Sequence, residues 1–421
     1  MNLTPPSDLP VLVAAAGAGW EPVALDVLGR RGSAATLQRR CVDVNDLVAA
    51  TTTGLARVAL VSAMLPGLDA DTVAQLAKAG VGVVVVLDDA SAASGDRLRR
   101  LGVRQLLTTD LAGLDDALRE AVARAPDGTE PAAAVGPPSP PVGHARTIAV
   151  WGPAGAPGRT TVAAGIAAEL AHRDRSTMLV DADPYGGAVA QHLGILDGAS
   201  GLLAAARAAN AGELDATRLA DLARAIGSEL RVLTGLPRPD RWPEVRSRTF
   251  DAVLEAARSL VDWVVLDTGF SLEGDLDDPF ATGPQRNHMT LAAVSGADDV
   301  VVVGTADPVG LARLARGLVD LHDLAPEAAV TVVVNRTRSS LGWSERDIHA
   351  MVEGFVRARG VHFLPDDRAA ADRALMAGRS LVETGDSALR RGVSVAVDAV
   401  VGEGRAAVAG RLRRRTTRAA R

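Results

Sequence analysis

The chain has 421 residues, 48% apolar and 23% charged, with a formal net charge of −6. That length allows two or three domains, each burying its own core. The charge argues against a wholesale nucleic-acid binder, and a single cysteine, Cys41, excludes an intramolecular disulfide and any cysteine-based zinc site. Residues 1–10 are polar and proline-rich rather than a basic-then-apolar leader. No apolar run approaches the roughly 20 residues of a membrane span, so a cytoplasmic protein is expected.

From the N-terminus, β-branched runs alternate with amphipathic stretches. Residues 11–13, 58–61, 81–87 and 103–107 read as strands, and 22–28, 70–79, 94–101 and 114–124 as helices. Such alternation predicts a small parallel α/β sheet. The segment Val61-Ser62-Ala63-Met64-Leu65-Pro66-Gly67 resembles the third strand and following loop of a response-regulator receiver domain. That resemblance implies a phosphoacceptor aspartate where Ser62 stands and acids where Ala14, Ala15 and Ala16 stand. The threonine and lysine it implies after the fourth and fifth strands are also replaced, around Leu87 and Thr108. Without those carboxylates there is no Mg²⁺ site and no phosphoacceptor. Residues 1–125 are therefore expected to be a flavodoxin-like, receiver-like domain that binds partners or itself.

Residues 126–146 carry Pro126, Pro131, Pro137, Pro138, Pro140 and Pro141, a density that supports neither helix nor sheet and reads as a linker. Alternation resumes over 147–402. Strands at 147–150, 178–181, 230–233, 263–267, 300–304, 329–334 and 362–364, separated by helical patterns such as 162–172, 308–321 and 344–359, predict a doubly wound, mostly parallel sheet. A short apolar helix at 393–401 precedes a basic tail, 403–421, with Arg411, Arg413, Arg414, Arg415, Arg418 and Arg421. The tail is open to two readings: a solvated extension, or attraction to anionic lipid or nucleic acid.

In such sheets ligands sit beyond the carboxyl ends of the strands, and four loops there carry candidate chemistry. Trp151-Gly152-Pro153-Ala154-Gly155-Ala156-Pro157-Gly158-Arg159-Thr160-Thr161 is a glycine-rich turn between a strand and a helix. Its amides can cradle phosphate, and a threonine hydroxyl can ligate Mg²⁺. The usual lysine is Arg159, and Pro153 replaces the first glycine. Asp181 and Asp183 leave the next strand, either as functional carboxylates or as helix caps. Asp267 ends an apolar strand in the manner of a Walker B segment, placed to hold a water of the Mg²⁺ shell. Asn335 either reads a base edge or initiates a turn.

Jointly these loops resemble the MinD/ParA family of deviant-Walker ATPases over residues 147 to about 400, in particular the CpaE/TadZ-like branch and the Ssd-type septum-site-determining proteins. The resemblance implies a P-loop NTPase domain at 147–402 with ATP and Mg²⁺ as cofactors. Gly155, Ala156, Pro157, Gly158, Arg159, Thr160 and Thr161 would form the phosphate loop, and Asn335, Arg336 and Pro365 would contact the nucleotide. Thr160 and, through water, Asp267 would hold Mg²⁺. Asp181 and Asp183 match the switch I region, Asp183 positioning the attacking water with Arg159 as the phosphate cation. The family's cross-dimer lysine falls at Ala154, so hydrolysis is expected to be slow or absent. The function implied is an ATP-binding spatial regulator of septum placement or Tad-type pilus/secretion assembly. Its partners would be proteins of those machineries, a second copy of the chain, and a peripheral contact with the inner face of the cell membrane. The alternatives are a non-enzymatic scaffold and a ParA-like DNA-partitioning ATPase, although DNA is the less expected partner.

Overall fold

The computed structural model describes residues 9–30, 35–51, 54–88, 92–124, 145–196, 198–274 and 285–402. Most of the proline-rich stretch, residues 275–284 and the basic tail lie outside the described residues. The chain divides into two units, Met1–Pro141 with Ala208–Glu213, and Val142–Arg207 with Leu214–Arg421.

In the first unit, β1 (Leu9–Ala14), β2 (Ala35–Arg40), β3 (Val58–Ser62), β4 (Gly82–Leu87) and β5 (Gln105–Thr108) form a parallel sheet ordered β2-β1-β3-β4-β5. This is the flavodoxin-like strand order. Helices Glu21–Gly29 and Leu114–Ala123 pack Leu28 and Leu118 against Val13, Leu60 and Val84 on one face. Helices Val44–Thr51, Ala70–Lys78 and Ala92–Arg100 cover Leu12, Val61 and Val85 on the other. With both faces covered, the central strands read as unbroken apolar runs. Ser62 ends β3 fully buried, its hydroxyl accepting from the Met64 amide at 3.1 Å. Two elements were not expected: β2, an edge strand in which only Ala35 is buried, and the helix Val44–Thr51.

In the second unit, β6 (Arg146–Trp151), β7 (Thr177–Ala182), β8 (Arg224–Ile226), β9 (Leu230–Leu233), β10 (Trp263–Thr268), β11 (Asp299–Thr305), β12 (Val330–Thr337) and β13 (Gly360–Pro365) form one sheet. Its order is β13-β12-β11-β6-β10-β7-β9-β8, parallel throughout except for β8 against β9. The α/β, mostly parallel expectation holds, and the three-residue edge strand β8 is an addition to it. Alternate residues of the valine runs face opposite ways. Val301, Val333 and Val265 pack under helices Arg159–His172 and Ala388–Val401. Val300, Val302 and Val332 pack under helices Pro308–Leu324 and Glu345–Glu353. The helix expected over 344–359 stops at Gly354, after a start fixed by a Ser344/Asp347 capping box. Asp307 caps the helix Pro308–Leu324, with Pro308 in its first turn. No helix among the described residues is long and apolar enough to cross a membrane.

Candidate nucleotide-binding site

The turn between β6 and the helix Arg159–His172 curls because its backbone enters the left-handed region at three nearby residues: Gly155 (φ +109°), Ala156 (φ +52°) and Gly158 (φ +101°). Only glycine adopts that region cheaply, so Ala156 holds strain of about 1–2 kcal/mol, the kind that clusters at functional sites. A Cβ on Gly152 would lie 2.2 Å from the Val303 carbonyl, so that position admits no larger residue. Residues 154–156 are exposed at the tip of the turn, and the helix N-terminus behind them favours negative charge.

Two side chains hold this turn from opposite sides. Asn335, buried near the end of β12, donates from Nδ2 to the Pro157 carbonyl at 2.8 Å, and its Oδ1 accepts from the Arg336 amide at 2.8 Å. The carboxamide expected to read a base braces the glycine-rich turn. Arg159 points inward: its guanidinium donates to the carbonyls of Gly152 (3.1 Å), Pro153 (3.3 Å) and Thr268 (3.1 Å). It also lies 3.9 Å from Asp183.

The carboxylates gather below the loop. Asp267 and Asp181 are directly paired neighbours on β10 and β7. Both are 1% exposed. The Asp181 oxygens accept from the amides of Asp183 (3.3 Å) and Val189 (3.2 Å), which anchors the loop that follows β7. Burial, with the Asp183 charge adding to it, raises its pKa to about 7 against those two hydrogen bonds. Asp183 is more open; its Oδ1 accepts from the Tyr185 amide at 2.8 Å, an Asx-turn. Neither oxygen of Asp267 has a hydrogen bond of normal geometry among the described residues. Burial first, then the Asp181 charge, push its pKa well up, while the neighbouring Thr160 hydroxyl and the Arg159 charge oppose the shift.

A buried carboxylate without a partner is costly unless something binds it. Among the described residues no cluster of three or more His, Cys, Asp or Glu forms a protein-only metal cage. One carboxylate and one hydroxyl at the foot of a phosphate loop suit Mg²⁺ instead, which keeps waters and takes phosphate oxygens as ligands. The residues present thus fit both groups that the sequence implied: amides for phosphate, and Thr160 with Asp267 for Mg²⁺.

No protein-family model matches the sequence, and no curated protein is significantly similar to it. Among solved structures, a ParA family ATPase from Chlorobium tepidum TLS superposes on 60% of this chain and 98% of its own, with a TM-score of 0.51 at 18% identity. Over that 60% the chain shares the fold of this structure. Two further structures are similar to the chain, each at 18% identity. They are the cell division ATPase MinD of Pyrococcus furiosus (TM-score 0.49, 61% of this chain, 98% of that one) and the septum site-determining protein MinD of Pyrococcus horikoshii OT3 complexed with Mg-ADP (0.47, 61% and 96%).

The remaining candidates occupy separate places. Thr161 lies in the first turn of the helix behind the loop, on a cleft with Ala164 and Gly165. Arg336, at φ +57°, follows the brace. Pro365 ends β13 opposite Thr337, two residues beyond Asn335. Several residues at the site went unnoticed in the sequence. Thr268 supplies a carbonyl to Arg159, and its hydroxyl donates to the Val150 carbonyl at 3.0 Å. Tyr185, the only tyrosine, stacks on Phe270 with ring centroids 4.8 Å apart and donates to Asn287 Oδ1 at 2.8 Å. Its place directly after Asp183-Pro184 was the available signal.

Proposed function

We propose that the chain is an ATP- and Mg²⁺-dependent spatial regulator of the MinD/CpaE-like kind, one that places a septum or a Tad-type pilus/secretion assembly and hydrolyses ATP slowly or not at all. The observation that carries this reading is Asp267, buried beside the Thr160 hydroxyl at the foot of the loop, with neither oxygen in a hydrogen bond of normal geometry among the described residues. Mg²⁺, when bound there, neutralises charge on the nucleotide phosphates. The loop amides would hold those phosphates, and Asp183 would orient a water. Asp181, enclosed and hydrogen-bonded, positions the loop that carries Asp183 rather than meeting substrate.

Weak hydrolysis is supported by Arg159, whose guanidinium is engaged by three carbonyls, and by Ala154, which offers no charge. In this reading the first unit, with Ser62 in the phosphoacceptor position, acts as an unphosphorylated docking module, and a γ-phosphate-sensitive loop supplies the two-state element. Titration calorimetry with ATP and Mg²⁺ tests it. Binding that is lost on Asp267→Ala upholds the proposal, and no heat at millimolar nucleotide removes it. The inward-facing Arg159 favours one second reading, a scaffold whose phosphate loop is filled by its own guanidinium; that null titration is what it predicts.

A further inference from the structure

The outer rim of the loop lines a cleft together with Thr305, Asp307, Arg313 and Arg336. Pro153, Ala154, Gly155 and Pro157 form one wall and the β11-to-helix turn the other, with Arg313 and Arg336 at its edges. The lining is polar, and both arginines are exposed. Arg313 makes one long hydrogen bond, 3.4 Å from Nη1 to the Ala154 carbonyl. Its guanidinium lies directly over Gly155, where an added Cβ would fall 2.1 Å from Nη1. The Arg336 guanidinium has no partner among the described residues. Its backbone is held at φ +57° by the bond from its amide to Asn335 Oδ1. One carboxylate, Asp307, also lines the cleft, but its oxygens are taken by the Thr305 hydroxyl (2.6 Å) and the Gly310 amide (3.0 Å). Two guanidiniums against one committed carboxylate leave the cleft electropositive beside a phosphate loop that has no charge of its own at position 154.

We propose that this rim cleft is a second phosphate contact, in which Arg313, assisted by Arg336, holds the terminal phosphate of a nucleoside triphosphate. The inference rests on the reading that the loop binds nucleotide, and it deepens that reading by naming the cation that distinguishes a triphosphate from a diphosphate. Guanidinium is suited to the task because it offers paired donors to phosphoryl oxygens. The phosphate comes from the nucleotide in the same loop or from one carried by a second copy facing the rim.

The test is titration calorimetry with ATPγS and with ADP, both with Mg²⁺, on the full chain, paired with sedimentation in ATPγS. Arg313 is exposed, so Arg313→Ala and Arg313→Lys are expected to leave the fold intact. With the phosphate in the same loop, Arg313→Ala weakens ATPγS about tenfold or more and ADP less than about threefold, with Arg313→Lys between wild type and Arg313→Ala. With the phosphate on a second copy, affinity at low protein concentration is unchanged and ATPγS-dependent self-association is lost instead; either result supports the proposal. Wild-type-like affinities together with wild-type-like self-association overturn it while leaving nucleotide binding standing. A wild-type chain that binds neither nucleotide removes the functional reading and this inference with it.

Discussion

Replacing Asn335 by alanine separates a brace from a base reader. The carboxamide makes two hydrogen bonds of 2.8 Å, one to the Pro157 carbonyl and one from the Arg336 amide, at a position 7% exposed. Each is worth about 0.5–1.5 kcal/mol net, and the Pro157 carbonyl, on a buried residue, is left without its partner, so the loss is about 2–3 kcal/mol. Arg336, at φ +57°, also loses the bond that holds it there. For a unit of this size each kcal/mol lowers the melting temperature by about 2–4 °C, so Asn335→Ala should melt about 4–12 °C lower without any nucleotide. Tryptophan fluorescence reads the right unit, since Trp151, Trp242, Trp263 and Trp343 lie in the second unit and only Trp20 in the first. Inorganic triphosphate should lose affinity in parallel with ATP, because the defect lies in the phosphate loop. A variant that melts within about 1 °C of wild type and loses ATP but not triphosphate would show that the amide reads the base and that its bond to Pro157 is incidental.

The buried pair Asp181 and Asp267 predicts a pH dependence. Both carboxyls are raised in the folded chain, Asp181 to about 7, whereas in the unfolded chain they ionise near 3.8. The folded state therefore holds protons that the unfolded state has released, and stability without Mg²⁺ should fall as pH rises from about 4 through 7. Urea unfolding across that range checks this; Asp267→Asn should flatten the slope, and a wild-type curve that rises instead would contradict it. Gly235→Ala should cost about 1–3 kcal/mol by overpacking, because the new Cβ would lie 2.5 Å from Cγ of the fully enclosed Asp181, as measured by denaturant midpoint. Arg159→Ala removes three bonds to carbonyls around the loop, so amides of residues 152–158 should exchange faster with little change in global stability; unchanged protection would mean that the guanidinium does not hold the loop.

Much of this architecture was legible because central strands buried on both faces announce themselves as valine runs, as in β4 and β11. The edge strands β2 and β8 did not, since an edge exposes one side and its sequence, ATLQRR or RAI, reads as surface. At the candidate site, the glycine-rich turn between β6 and its helix and the aspartate that closes the apolar run of β10 were visible as positions from local order and spacing. What escaped was contact across distance. The Asn335 brace joins positions 178 residues apart, and Arg313 reaches Ala154 from 159 residues away. A residue type alone does not say which carbonyl its amide will find. The direction of Arg159 was equally hidden, because a phosphate-loop cation has the same sequence whether it faces ligand or its own backbone.

Far from the phosphate loop, Asp299 at the start of β11 is fully buried between Arg146, which opens β6, and Arg359, which precedes β13. A strand that slipped by one residue would strand that carboxylate in apolar surroundings and move its far end by about 3.3 Å. The triad therefore works as a set of tuning pegs: tension set at one end of the strands fixes the pitch at which Gly152, Thr305 and Asn335 meet at the other.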